Sequence, residues 1–81
     1  MRYMGRFSFN DLNDVTSTGF WQLYMVKDIV NIPTTSLWYG VLVCFNAGNF
    51  IIQECYKYDE PIMWRRVRSD IGEWSDWKEF K

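Results

Sequence analysis

Histidine is missing from all 81 residues, and this one absence removes the commonest general base, the Ser-His and Cys-His nucleophile pairs and every imidazole metal site. Two cysteines, Cys44 and Cys55, with no His and no further Cys, cannot build a structural zinc centre. No glycine-rich phosphate loop occurs. Neither sign of charge dominates. Nine Lys and Arg stand against ten Asp and Glu, a net charge of -1, so the basic field that a nucleic acid requires is not present. The longest apolar run, "LWYGVLVCF" from Leu37 to Phe45, is well short of the roughly 20 residues of a membrane span, and the N-terminus has no secretory apolar region. The chain is therefore expected to be soluble and unprocessed. Carboxylates do pair locally, as Asp11 with Asp14 and Asp59 with Glu60, but nothing sets two of them across a cleft as a glycosidase needs, so they read as turn residues. The expectation is a non-enzyme with no cofactor and no metal.

What the chain has in excess is aromatic surface. Sixteen Phe, Tyr and Trp make up 20% of the residues, and each removes roughly 150 to 250 Å² from water when buried. A chain this short has room for one domain and little net stability, so heavy aromatic packing is its visible means of making a core. The two cysteines offer no staple. A two-residue turn within "NAGN" (46 to 49) would put Cys44 opposite Ile51 and Cys55 opposite Gly40, separating the thiols by about 13 Å at strand rise. A three-residue loop would place them on opposite faces. Buried free thiols are expected either way.

Alternation is the dominant periodicity; there is no long helical pattern and no repeat. Residues 1–9 read as a first strand or arm. The stretch "NDLNDVTSTG" (10 to 19) is a polar run of cap and turn residues with one buried-looking Leu12, enough for a single short helical turn at most. "FWQLYMV" (20 to 26) is a strand with apolar weight on both faces, and "KDIVNIPTTS" (27 to 36) is a long connection. The clearest local signal is a hairpin: Val41, Val43, Phe45, Phe50 and Ile52 share one face, while Leu42, Cys44, Ile51, Gln53 and Cys55 take the other. "IMWRRVR" (62 to 68) continues the sheet and "EWSDWKEF" (73 to 80) closes it. The prediction is an all-β fold: a small antiparallel sheet or sandwich, a knob of five or six strands with at most one short helical turn.

Four groups of side chains follow from this pattern. In "RRVR", Arg66 and Arg68 face away from Arg65, which suits a solvated edge strand in preference to an arginine stacked on an aromatic ring. Trp74 and Trp77, three apart, would face opposite ways in a regular strand, so either one covers the core while the other plugs an end, or "WSDW" is a turn. Both alternatives make the terminal segment a lid. With apolar side chains on both sheet faces and no helix to cover the second, Trp21, Leu23, Leu42, Cys44, Ile51 and Cys55 are candidates for a subunit interface. Trp38, Tyr39, Tyr56, Tyr58 and Trp64 lie at breaks in the alternation and are candidates for a surface that meets a ligand or partner.

Four segments also stand in a telling order: "DLNDVTSTGFW" (11 to 21), a Pro-bearing loop leading into "YGVLVCF" (39 to 45), Gln53 in "IIQECY", and "MWRRVRSDIGEWSDWKEF" (63 to 80). Together they resemble the pyocin knob domain, a small β module at the ends of bacteriophage tail fibres and tailocin fibres. No single segment is specific; their shared order over residues 9 to 80 carries the resemblance. It implies a non-catalytic knob, usually one of three copies in a homotrimeric virion fibre, made in the host cytoplasm and used for host attachment. The resemblance makes Gly19, Phe20, Gly40, Gln53, Arg66, Trp74 and Trp77 scaffold positions and carries over no ligand contacts. Such knobs ordinarily follow a long shaft, and only Arg2 to Asn10 precede the match. The expectation is thus a tail-fibre knob fragment or a stand-alone head-fibre or adaptor component, meeting a host glycan or protein or other virion proteins. The rival readings are a virion decoration protein with no receptor and a carbohydrate-binding module unconnected with viruses.

Overall fold

The alternating segments become one six-stranded sheet. In the computed structural model, which describes residues 1–81, β1 (Tyr3–Arg6), β2 (Gly19–Tyr24), β3 (Tyr39–Asn46), β4 (Ile51–Lys57), β5 (Met63–Arg68) and β6 (Lys78–Phe80) lie side by side in chain order. The fold is all-β, with one 3-10 turn at Leu12–Asp14. The sheet is a single mixed layer, however, because β1 runs parallel to β2 while every other neighbouring pair is antiparallel. A parallel pair needs a connection that returns the chain to its starting end. Residues 7–18 supply it, and the Asp11 carboxylate caps their 3-10 turn by accepting from the Asn13 amide at 2.8 Å.

The central hairpin keeps its predicted faces but not its predicted register. Cys44 lies opposite Gln53 and Cys55 opposite Leu42, a shift of two residues from the pairing expected of a turn centred on Ala47 and Gly48. The turn instead centres on Gly48 and Asn49: the Ala47 amide donates to the Phe50 carbonyl at 2.9 Å, and Gly48 takes the left-handed conformation, φ +88°. Glycine at the first central position matches the twist of a two-residue hairpin, whereas Ala47 there would be strained. A shift of two leaves every side chain on its own face. The thiols end on the same face, both buried and both free.

That inner face is the core, and the chain covers it unaided. Trp21, Leu23, Leu42, Cys44, Ile51 and Cys55 are all buried against Phe7, Leu12, Val15, Val26 and Leu37 from the two long connections. The expectation that another subunit covers these six residues is therefore corrected: residues 7–18 and 25–38 are long enough to fold across the face themselves. Leu12, Leu37 and Leu42 are fully sequestered, each contributing about 1.5 to 3 kcal/mol relative to exposure. Trp64, expected at the surface, pairs with Cys55 on this face and is 7% exposed. β2 stops at Tyr24 because Met25 turns into the left-handed region, φ 52°, which aims Val26 into the core and leaves Met25 outside.

The outer face is open. Phe20, Val41, Val43, Ile52, Tyr56 and Val67 line it, half-buried or exposed, and no other part of the chain crosses them. β5 is not the sheet edge, since β6 pairs with it, and Arg66 points inward at 4% exposure. The solvated-edge reading of "RRVR" is thereby replaced by the aromatic stack.

Candidate binding surface

The most constrained cluster in the molecule is built from residues far apart in sequence. The Arg66 guanidinium carbon lies 3.9 Å from the Trp74 ring centroid and 4.7 Å from that of Trp77. Its Nε donates to Gln53 Oε1 at 2.9 Å. The Gln53 amide then donates to the Leu12 and Val15 carbonyls at 2.7 and 2.8 Å, so one side chain fastens the first connection to the sheet. Trp77 Nε1 donates to the Asn31 carbonyl at 2.8 Å, which ties the terminal segment to the second connection. Both tryptophans face the same way because residues 74–77 are not a regular strand: Ser75 pairs with Val67 through its amide and hydroxyl before β6 begins. Burial lowers the Arg66 pKa to about 10, so it remains a cation at neutral pH.

This cluster holds the fold together, and both cysteines lie buried. Burial pushes the Cys44 thiol up to about 11 and the Cys55 thiol higher still, the opposite of the shift that activates a nucleophilic cysteine. No three His, Cys, Asp or Glu side chains gather where a metal ion could sit, and no helix is long and apolar enough to cross a membrane.

The open chemistry lies at the end of the sheet where β2 and β4 finish and β3 begins. Tyr24, Tyr39 and Tyr58 are consecutive across the strands, with ring centroids 5.4 and 6.0 Å apart and each pair close to edge-on. Tyr58 is 74% exposed, Tyr24 45% and the neighbouring Trp38 44%. Trp38 and Tyr24 carry further contacts. Trp38 Nε1 donates to the Thr35 carbonyl at 2.9 Å, Lys27 Nζ sits 5.1 Å from the Trp38 ring, and the Arg6 guanidinium sits 4.8 Å from the Tyr24 ring. Three hollows meet here, of about 370, 220 and 370 Å³. Trp38 divides the first from the second, and Tyr39 with Tyr58 divides the second from the third. The loop that lines the first hollow holds three non-glycine residues with positive φ, Met25, Asp28 and Asn31. Such conformations cost about 1 to 3 kcal/mol each and concentrate where a surface is shaped for use.

No family model, curated protein or solved structure matches the chain. Of the positions that the resemblance makes scaffold, the buried Gln53 and Arg66 meet the half-buried Trp74 and Trp77 in one stack. Gly19 and Gly40 sit where backbone or side chain passes too close for a Cβ: one on Gly40 would lie 1.9 Å from the Tyr56 carbonyl oxygen, and one on Gly19 would lie 2.6 Å from Met4 Cγ. Phe20 stands apart on the outer face, its ring 5.3 Å from that of Tyr3. Of the candidate surface residues, Trp38, Tyr39 and Tyr58 come together at the aromatic end. Tyr56 lies on the outer face, its hydroxyl donating to Glu54 Oε1 at 2.6 Å, a bond that raises its pKa to about 12. Sequence reasoning missed Tyr24, Lys27 and Asp28 as part of the surface. Tyr24 could have been found, because it keeps the same parity as the exposed Gln22.

Proposed function

We propose that this protein is a non-catalytic knob of a bacteriophage virion fibre, made in the host cytoplasm and attaching the particle to a host-surface glycan or protein or gripping other virion proteins. The observation that carries the reading is the meeting of Gln53, Arg66, Trp74 and Trp77. These four positions, which the resemblance to the pyocin knob domain singles out as scaffold, lie in three separate segments and act as one structural unit. Attachment then falls to what the scaffold leaves exposed, the aromatic end and the open sheet face.

The open face also gives the homotrimer a place to form. Its apolar centre, Val41, Val43 and Ile52, is only half-buried in one chain, and a second copy covers it where the connections do not. Native mass measurement at micromolar concentration is expected to give three chain masses. Val43→Asp, which puts a charge at the centre of that face, is expected to give a folded monomer. A monodisperse monomer of the unaltered chain would overturn the trimeric knob.

A further inference from the structure

We propose that the end of the sheet bearing Tyr24, Trp38, Tyr39 and Tyr58 binds a neutral oligosaccharide, an inference that rests on the attachment reading above and gives it a ligand class. Sugar rings present an apolar C–H face and a polar rim. Tyr and Trp match them with a flat apolar body and a polar tip. Only Tyr56 among the tyrosines spends its hydroxyl inside the protein, on Glu54, so the hydroxyls of Tyr24, Tyr39 and Tyr58 remain free to donate to or accept from a ligand. Trp38 contributes its ring alone, because its N–H is held by Thr35.

Shape and charge narrow the ligand further. The three hollows run side by side with aromatic walls between them, which fits a chain of successive rings and not one enclosed small molecule. The charges around them balance: Arg6, Lys27 and Lys57 against Asp28, Asp59 and Glu60, with Lys57 already bonded to Glu60 at 2.6 Å. A polyanion or polycation gains nothing from such a rim, whereas a neutral ligand finds both donors and acceptors. Two of the rings are also held before binding, Trp38 by Thr35 and Lys27 and Tyr24 by Arg6, so less conformational freedom is lost there when a ligand arrives.

The test is saturation-transfer NMR of the full chain against neutral and anionic oligosaccharides of two to six residues, at about 10 mM, roughly ten times a millimolar Kd. Neutral sugars are expected to bind. Tyr58→Ala and Trp38→Ala, both on exposed rings, are expected to keep the far-ultraviolet spectrum and thermal midpoint and each to weaken binding about tenfold or more. Phe50→Ala, in the hairpin turn at the opposite end, is expected to change nothing. Binding unaffected by Tyr58→Ala and Trp38→Ala, preference for anionic sugars, or no binding of any of them would overturn the site. So would a purified protein partner whose binding Tyr58→Ala abolishes while no sugar competes. A trimer without sugar binding sinks the site and leaves the knob standing; a monomer that binds sugar through Tyr58 supports the site and sinks the knob.

Discussion

A single glutamine does the work of a small core in this protein. Gln53 is fully buried, and its amide engages two carbonyls of the first connection while its oxygen accepts from Arg66. Each buried partner left unsatisfied costs about 1 to 3 kcal/mol. Gln53→Ala is therefore expected to lower the unfolding free energy by about 3 kcal/mol in urea denaturation. A loss under about 1 kcal/mol would mean that water reaches the Leu12 and Val15 carbonyls, and the keystone role of Gln53 would fall. Arg66 has the same dependence on its neighbours. Set against the rings of Trp74 and Trp77, it has one buried terminal nitrogen with no hydrogen-bond partner, and the indole rings supply the electrostatic compensation.

Strand pairing depends on two glycines for different reasons, and the difference can be measured. At Gly40 a Cβ would meet the β4 backbone at Tyr56, which cannot move without parting β3 from β4, whereas at Gly48 a Cβ meets nothing and only the left-handed φ is strained. Gly40→Ala is expected to cost about 3 kcal/mol or more, and Gly48→Ala about 1 to 2 kcal/mol. Equal losses in the two urea midpoints would show that the close approach at Gly40 relaxes. The same hairpin explains the fate of the cysteines. Its register decides which residues oppose them, and its pleat decides that both are buried.

Taken whole, the molecule is one layer of sheet roofed on one side by its own connections and bare on the other. Asp11 pins the roof. Its Oδ1 accepts from Asn31 Nδ2 and from the Asn13 amide, both at 2.8 Å, and its backbone bridges to Val30, joining the two connections to each other. The Asn31 bond, followed by the Asn13 amide, holds the Asp11 pKa below its ordinary 3.8. A carboxyl whose pKa is depressed by folding stabilises the fold above its ordinary value, and that contribution is lost as pH falls through the folded value. Asp11→Asn is therefore expected to be less stable than the unaltered chain near neutral pH, with the gap between their urea midpoints closing as pH drops from about 5 to below about 3. A gap that stays constant over that range would show that the Asp11 charge contributes nothing to the roof.

Local chemistry settled a good deal of this protein in advance. Two-residue alternation is a property of the chain itself, so the all-β class, the single helical turn at Leu12, the sorting of hairpin side chains into two faces and the free buried thiols were all legible. So was the exposure of Trp38 and Tyr58, at breaks in that alternation. Other features depend on which segment crosses which, and periodicity holds no record of that. β1 is parallel because its connection happens to return across the core. The inner face needs no partner because residues 7–18 and 25–38 lie upon it. Trp74 and Trp77 turn the same way because Ser75 binds Val67 and bends the chain between them. Arg66 and Gln53 look like ordinary polar residues until the fold places tryptophans above one and loop carbonyls beside the other. A pattern along a strand tells which way a side chain points; only the packed chain determines what it meets there.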